Sequence, residues 1–150
     1  MCHFYFGGLI VGIILVDRWT KRKTIAILEN KKDNKSVELV QNKLKLIIEE
    51  EKLKQLDGFQ SGVSLIVKIT LIILLCVVIY FIRLMQYQGD IGLKLALSFI
   101  IGGVFGNLID RLGYGYVIDF ICIKGTKDIA FNLSRVFILT GLILLIVNLI

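Results

Sequence analysis

The stretch GGVFGNLIDRLGYGYVIDF, residues 102–120, sets charged groups at the end of a segment built for lipid. The apolar run 95–109 holds Asn107 near its end and stops at Asp110 and Arg111. Asp119 follows in an otherwise apolar, strand-like stretch, 117–121. Ionisable side chains at the end of a bilayer-spanning helix are costly, and they persist where they pair or do chemistry. The stretch therefore reads as the end of a transmembrane helix running into a functional site.

Composition supports that setting. The chain has 150 residues, 56% of them hydrophobic, a mean hydropathy of +0.79, 14 glycines and no proline. Soluble domains use about 45–50% apolar residues. The size fits one domain, 1–150. A net charge of +6 suits either nucleic acid or a basic face against anionic lipid. The hydropathy selects the lipid bilayer as partner, with no nucleic acid. Cys2, Cys76 and Cys122 are scattered without metal-ligand spacing and read as small apolar residues. Nothing in the sequence suggests a metal, a cofactor, a nucleotide loop or a Ser/His nucleophile.

A hydrocarbon core of about 30 Å takes about 20 helical residues to cross. Four segments qualify: 1–19, 63–82, 91–109 and 134–150. The first lacks the basic start and the small-residue cleavage site of a signal peptide. The second carries only Lys68, and Lys94 near the start of the third can snorkel. Residues 20–61 differ. They contain TIAILE (24–29), the turn-like KKDNK (31–35) and SVELVQNKLKLIIEE (36–50). Alternation at Val37 and Leu39, then at Leu44, Leu46 and Ile48, suggests strands. The expected fold is an all-α membrane protein with a small β element: four transmembrane helices plus a surface β-sheet or charged loop after the first.

With alternating spans, the end of span one, the end of span three and the start of span four share one membrane face. That face collects Asp17, Thr20 and Lys21, then Asn107, Asp110 and Arg111, then Asp119, and finally Asn132 and Arg135. Such clustering argues for one interfacial site. Trp19, Tyr114 and Tyr116 suit an aromatic belt, and Gly102 and Gly103 suit close helix packing. Charge alone gives the orientation. Residues 18–61 are rich in Lys and Arg, whereas the turn between spans two and three offers Arg83, with Lys94 just beyond. The positive-inside rule would place 18–61 in the cytoplasm.

VDRWTK (16–21), GGVFGNLIDRLGYGYVIDF (102–120) and AFNLSRVFILTG (130–141) resemble the motifs of the lipoprotein signal peptidases, or signal peptidase II. Motif order, the four-span plan and a surface sheet after the first span all match. The resemblance implies an intramembrane aspartic endopeptidase of the bacterial cytoplasmic membrane, with both termini inside and its site at the outer face. It implies cleavage of lipidated prolipoproteins on the N-terminal side of the diacylglyceryl-modified cysteine. That orientation opposes the charge count, and the longer, more specific motif takes precedence.

By this resemblance Asp119 is a catalytic aspartate, while Asp17, Lys21, Asn107, Asp110, Arg111 and Asn132 support the site or line it for substrate. The chemistry needs two carboxylates sharing a proton: one activates water, the other hydrogen-bonds the scissile carbonyl and protonates the leaving amine. The second aspartate belongs at the end of F-N-x-A-D. Here that element reads Phe131-Asn132-Leu133-Ser134-Arg135, so the partner position holds Arg135. A guanidinium is a donor without a basic lone pair, and beside Asp119 it would pair with the ionised carboxylate. A second departure is the family's N-x-G-A-A-like motif, whose place at about 51–56 reads EKLKQL; Gly58 and Gly62 lie nearby without an Ala pair. Asp17, Asp110 and Asp128 are the remaining carboxylates that could stand in. Three readings stay open: a working peptidase with a substituted dyad, a non-catalytic relative that binds lipoprotein signal peptides or modulates a true peptidase, and a structural subunit of a membrane complex.

Overall fold

The computed structural model describes residues 3–29, 36–40, 44–50, 65–87, 90–115, 117–123 and 129–150. Among these residues, four helices and four strands follow in the order α1 (His3–Glu29), β1 (Ser36–Val40), β2 (Leu44–Glu50), α2 (Leu65–Met85), α3 (Ile91–Tyr114), β3 (Ile118–Ile123), β4 (Ile129–Phe131) and α4 (Leu133–Leu149). The KKDNK turn, the 51–56 segment, Tyr116 and Asp128 lie outside the described residues.

One boundary differs from the sequence reading. The first helix does not stop near Trp19 but runs to Glu29, so TIAILE is helical and the surface element begins only at β1. The reason is visible in the burial pattern. Asp17, Lys21 and Thr24 recur at helical spacing and are all buried, giving the charged half of α1 an inward stripe. No Gly or Pro interrupts 13–29.

α3 is the central element and packs against α1, α2 and α4. The core joins Val67, Leu74, Phe81 and Leu84 of α2 to Leu97, Ile101 and Leu108 of α3. Outside that narrow stripe α2 leaves Leu65, Ile69, Ile72, Leu75, Ile79 and Ile82 exposed. Continuous exposed apolar surface of this kind marks contact with lipid or with partner helices. α2 and α3 are each long and apolar enough to cross a membrane, and α4 is a shorter apolar helix of 17 residues. α3 and α4 approach closely because glycines stand at their contacts. A Cβ on Gly103 would lie 2.6 Å from the Ser134 carbonyl oxygen, and one on Gly141 would lie 2.7 Å from that of Ala96. Small residues at such crossings let backbones meet, as expected for Gly103. Lys94 is buried and reaches back from α3 to the Tyr87 carbonyl at 2.6 Å.

The strands form one antiparallel sheet in the order β1-β2-β3-β4. The strand-like stretch around Asp119 is thus joined to the β1–β2 pair, with Leu44 opposite Ile123 and Glu49 opposite Asp119. Gly115 delivers the chain into β3. It ends α3 in the left-handed conformation, φ 80°, with its N–H bonded to the Arg111 carbonyl. Asn132 starts α4, its side chain accepting the Arg135 N–H at 2.8 Å as an N-cap.

Candidate functional site

The end of α3, the strand β3 and the start of α4 meet around Asp119. This carboxylate is 4% exposed, and both its oxygens are engaged. Oδ1 accepts from the Asn132 amide at 2.7 Å. Oδ2 pairs with an Arg135 guanidinium nitrogen at 3.0 Å. Asn132 is fully buried and ties the patch together, its Nδ2 also lying 3.1 Å from Asn107 Oδ1 and 3.2 Å from the Ile118 carbonyl. Asn132 therefore does two jobs: it caps α4 and aims its amide at Asp119.

A second polar cluster lies behind the first. Lys21 Nζ sits 2.6 Å from Asp17 Oδ2 and 2.6 Å from Asp110 Oδ2, and Arg18 reaches Asp110 Oδ1 at 2.6 Å. Both aspartates are 0% exposed. Two carboxylates and two cations balance, which is the condition for keeping charge away from water. Backbone donors complete the cluster: Ser134 N–H to Asp17 at 2.9 Å and Ile118 N–H to Asp110 at 3.4 Å. The cluster thereby fastens α1 to α3, to β3 one residue before Asp119, and to α4 one residue before Arg135.

Of the residues singled out from the sequence, Asn107, Asp119, Asn132 and Arg135 form one bonded patch, and Asp17, Lys21 and Asp110 form the cluster beside it. Thr20 joins neither, because its hydroxyl bonds to Val16 and Asp17 carbonyls of its own helix. Arg18 was hidden among the surface cations at the end of the first apolar segment; its position beside Asp17 in VDRWTK was the only signal. Asp17 and Asp110, weighed as stand-in carboxylates, are committed to Lys21 and Arg18.

Arg111 lines a cavity of about 400 Å³ with Thr70, Leu74, Val104, Asn107 and Arg135. Its Nε is buried without a hydrogen-bond partner among the described residues. Also among the described residues, no group of three or more His, Cys, Asp or Glu side chains could hold a metal ion.

Apolar helices with uncovered hydrophobic faces, packed beside buried ion pairs and a strand-borne aspartate, are the build of a membrane protein with a buried polar site. The family model for signal peptidase (SPase) II matches residues 9–150, and the chain belongs to this family of lipoprotein-processing membrane proteases. It is 33% identical to the lipoprotein signal peptidase of Clostridium novyi, over 91% of this chain and 90% of that one. It is 32% identical to that of Wigglesworthia glossinidia brevipalpis, over 93% and 90%. A bacterial membrane enzyme solved by the in meso method at 1.9 Å shares the fold, with a TM-score of 0.75 at 24% identity over 97% of this chain and 92% of that one.

Proposed function

We propose that this chain is a signal peptidase II-family protein that engages lipidated prolipoprotein signal peptides at the Asp119 site but does not hydrolyse them by the two-carboxylate mechanism. The observation that carries this reading is the 3.0 Å ion pair between Asp119 and Arg135. In the family's reaction a second carboxylate would face Asp119 and the two would share a proton. A guanidinium has no lone pair to accept the water's proton, and its own proton is too firmly held to pass to a leaving amine. With Asn132 on the other oxygen, Asp119 is a paired anion rather than half of a dyad.

The rest of the reading follows the family. The four helices span the bacterial cytoplasmic membrane, both termini face the cytoplasm, and the site opens at the outer face. Asn107, Arg111 and Asn132 offer polar groups to an extended peptide, while Asp17, Lys21 and Asp110 hold the strand and helices that carry them. The buried balance of the Lys21 cluster supports inward placement of cations that a loop count assigns to the cytoplasm.

The test uses purified protein in nanodiscs and a fluorescent diacylglyceryl-modified signal peptide, with a dyad-intact relative as control. Saturable binding without product is expected. Product formation that Asp119→Asn abolishes would establish a working peptidase instead. Absence of binding would leave the structural-subunit reading.

A further inference from the structure

The second half of α1 carries two stripes on opposite sides. The inward one, Asp17, Lys21 and Thr24, is buried, and its first two members are ion-paired. The outward one, Leu15, Trp19 and Arg22, recurs at the same helical spacing and is exposed. Together with Val16 and Arg18 these three residues line an open groove of about 470 Å³. That volume falls within the range of about 300–1,000 Å³ typical of small-ligand sites. The groove's wall is apolar, with Leu15 62% and Trp19 58% exposed. Below it the face is hollow, since a Cβ on Gly8 or Gly12 would meet nothing within 4 Å.

Charge selects the occupant. Asp17 and Asp110, the buried carboxylates of this region, are already matched by Lys21 and Arg18. Arg22 and Lys23 are therefore surplus cations. Both are exposed, and among the described residues neither has a carboxylate partner; Lys23 rests on the Trp19 ring at 4.1 Å. A second copy of the chain fits this face poorly. Two-fold pairing within one membrane would set the α1 faces side by side in the same direction, with Arg22 and Lys23 against their own counterparts. An anion joined to a hydrocarbon suits both ends of the groove. Arginine's planar fork matches phosphate oxygens, and a tryptophan beside cations is the arrangement found at headgroup level. Length agrees too. A helix rises about 1.5 Å per residue, so Arg22 stands about 15 Å above Gly12, half of a hydrocarbon core of about 30 Å.

We propose that the outward face of α1 binds an anionic phospholipid of the surrounding bilayer, with its phosphate at Arg22 and Arg18 and one acyl chain along Leu15 toward Gly12. Arg18 serves both sides of the helix wall, since one guanidinium nitrogen is held by Asp110 at 2.6 Å while the group also lines the groove. The site faces away from the Asp119 patch, so it stands whether or not that carboxylate engages a peptide.

The experiment is native mass spectrometry of the full chain released from nanodiscs of phosphatidylglycerol and phosphatidylcholine in equal amounts. Preferential retention of one phosphatidylglycerol is expected. The double variant Arg22→Gln with Lys23→Gln should weaken retention about thirtyfold, the equivalent of about 2 kcal/mol. Lys68→Gln, at an exposed cation of α2, should leave it unchanged. Leu15→Trp keeps every cation and fills the groove from an exposed position, so it should also release the lipid. Equal loss in Lys68→Gln would reduce the effect to general surface attraction and overturn the proposal. Full retention by Leu15→Trp would overturn the groove as the seat of the acyl chain. Retention of phosphatidylcholine to the same extent would overturn the role of the anion. A lipid-free dimer that Leu15→Trp splits would give the face to a second copy and overturn the assignment altogether.

Discussion

Lys21→Met is the sharpest structural perturbation in this molecule. Lys21 is buried, and its ammonium lies 2.6 Å from each of two carboxylates that are themselves fully buried. Methionine keeps the length of the side chain and removes only the charge. Asp17 then retains the Ser134 N–H alone, and Asp110 retains Arg18 and the long contact to Ile118 N–H. Breaking a buried ion pair by deleting one partner costs about 3–5 kcal/mol, and the surviving Arg18 contact argues for the lower end. At roughly 2–4 °C per kcal/mol for a chain of this size, the melting temperature should fall by roughly 6–12 °C. The assay is thermal unfolding of detergent-solubilised protein by near-UV circular dichroism. A double variant, Lys21→Met with Asp17→Asn, should recover part of the loss, because the stranded charge is removed with its partner. A change within about 2 °C for the single variant would refute the reasoning, since it would mean that water or another cation already serves both carboxylates.

Two further outcomes follow from the packing and the cap. Gly103→Val should destabilise the bundle by about 1–3 kcal/mol or more, because the new Cβ meets the fixed Ser134 carbonyl oxygen rather than a movable side chain; reduced retention of monodisperse protein on heating checks it. Asn132→Ala should cost about 1–2 kcal/mol through loss of the α4 cap, and it should also free Asp119 Oδ1, read as a lowered melting temperature with increased protease nicking near 129–135.

The sequence carried the site more fully than the fold around it. GNLIDR and YVIDF placed Asn107, Asp110, Arg111 and Asp119 together because a helix end and a strand are short-range patterns, and FNLSR placed Asn132 and Arg135 at a helix start for the same reason. Asp17 and Lys21 were legible as residues of one membrane face, but their buried ion pair emerges only from the structure. What escaped was non-local. The cationic run after Trp19 reads as solvated loop when hydropathy is averaged, and it takes Asp110 of α3, added to Asp17 of its own helix, to match the buried charge of Lys21. Pairing of β2 with β3 joins residues far apart in the chain, so the hairpin and the Asp119 strand looked like separate features. That Arg111 Nε has no hydrogen-bond partner among the described residues had no sequence signal, because it depends on which neighbours are already taken.

The central claim is that Arg135, paired to Asp119, is what separates this chain from two-carboxylate hydrolysis. The direct measurement is the rate of cleavage of a diacylglyceryl-modified prolipoprotein by Arg135→Asp relative to the wild-type chain. Restoring the second carboxylate should raise the rate by about 100-fold or more, the usual worth of a positioned acid or base, and Asp119→Asn should abolish the gain. A wild-type chain that already cleaves at the rate of Arg135→Asp would contradict the account.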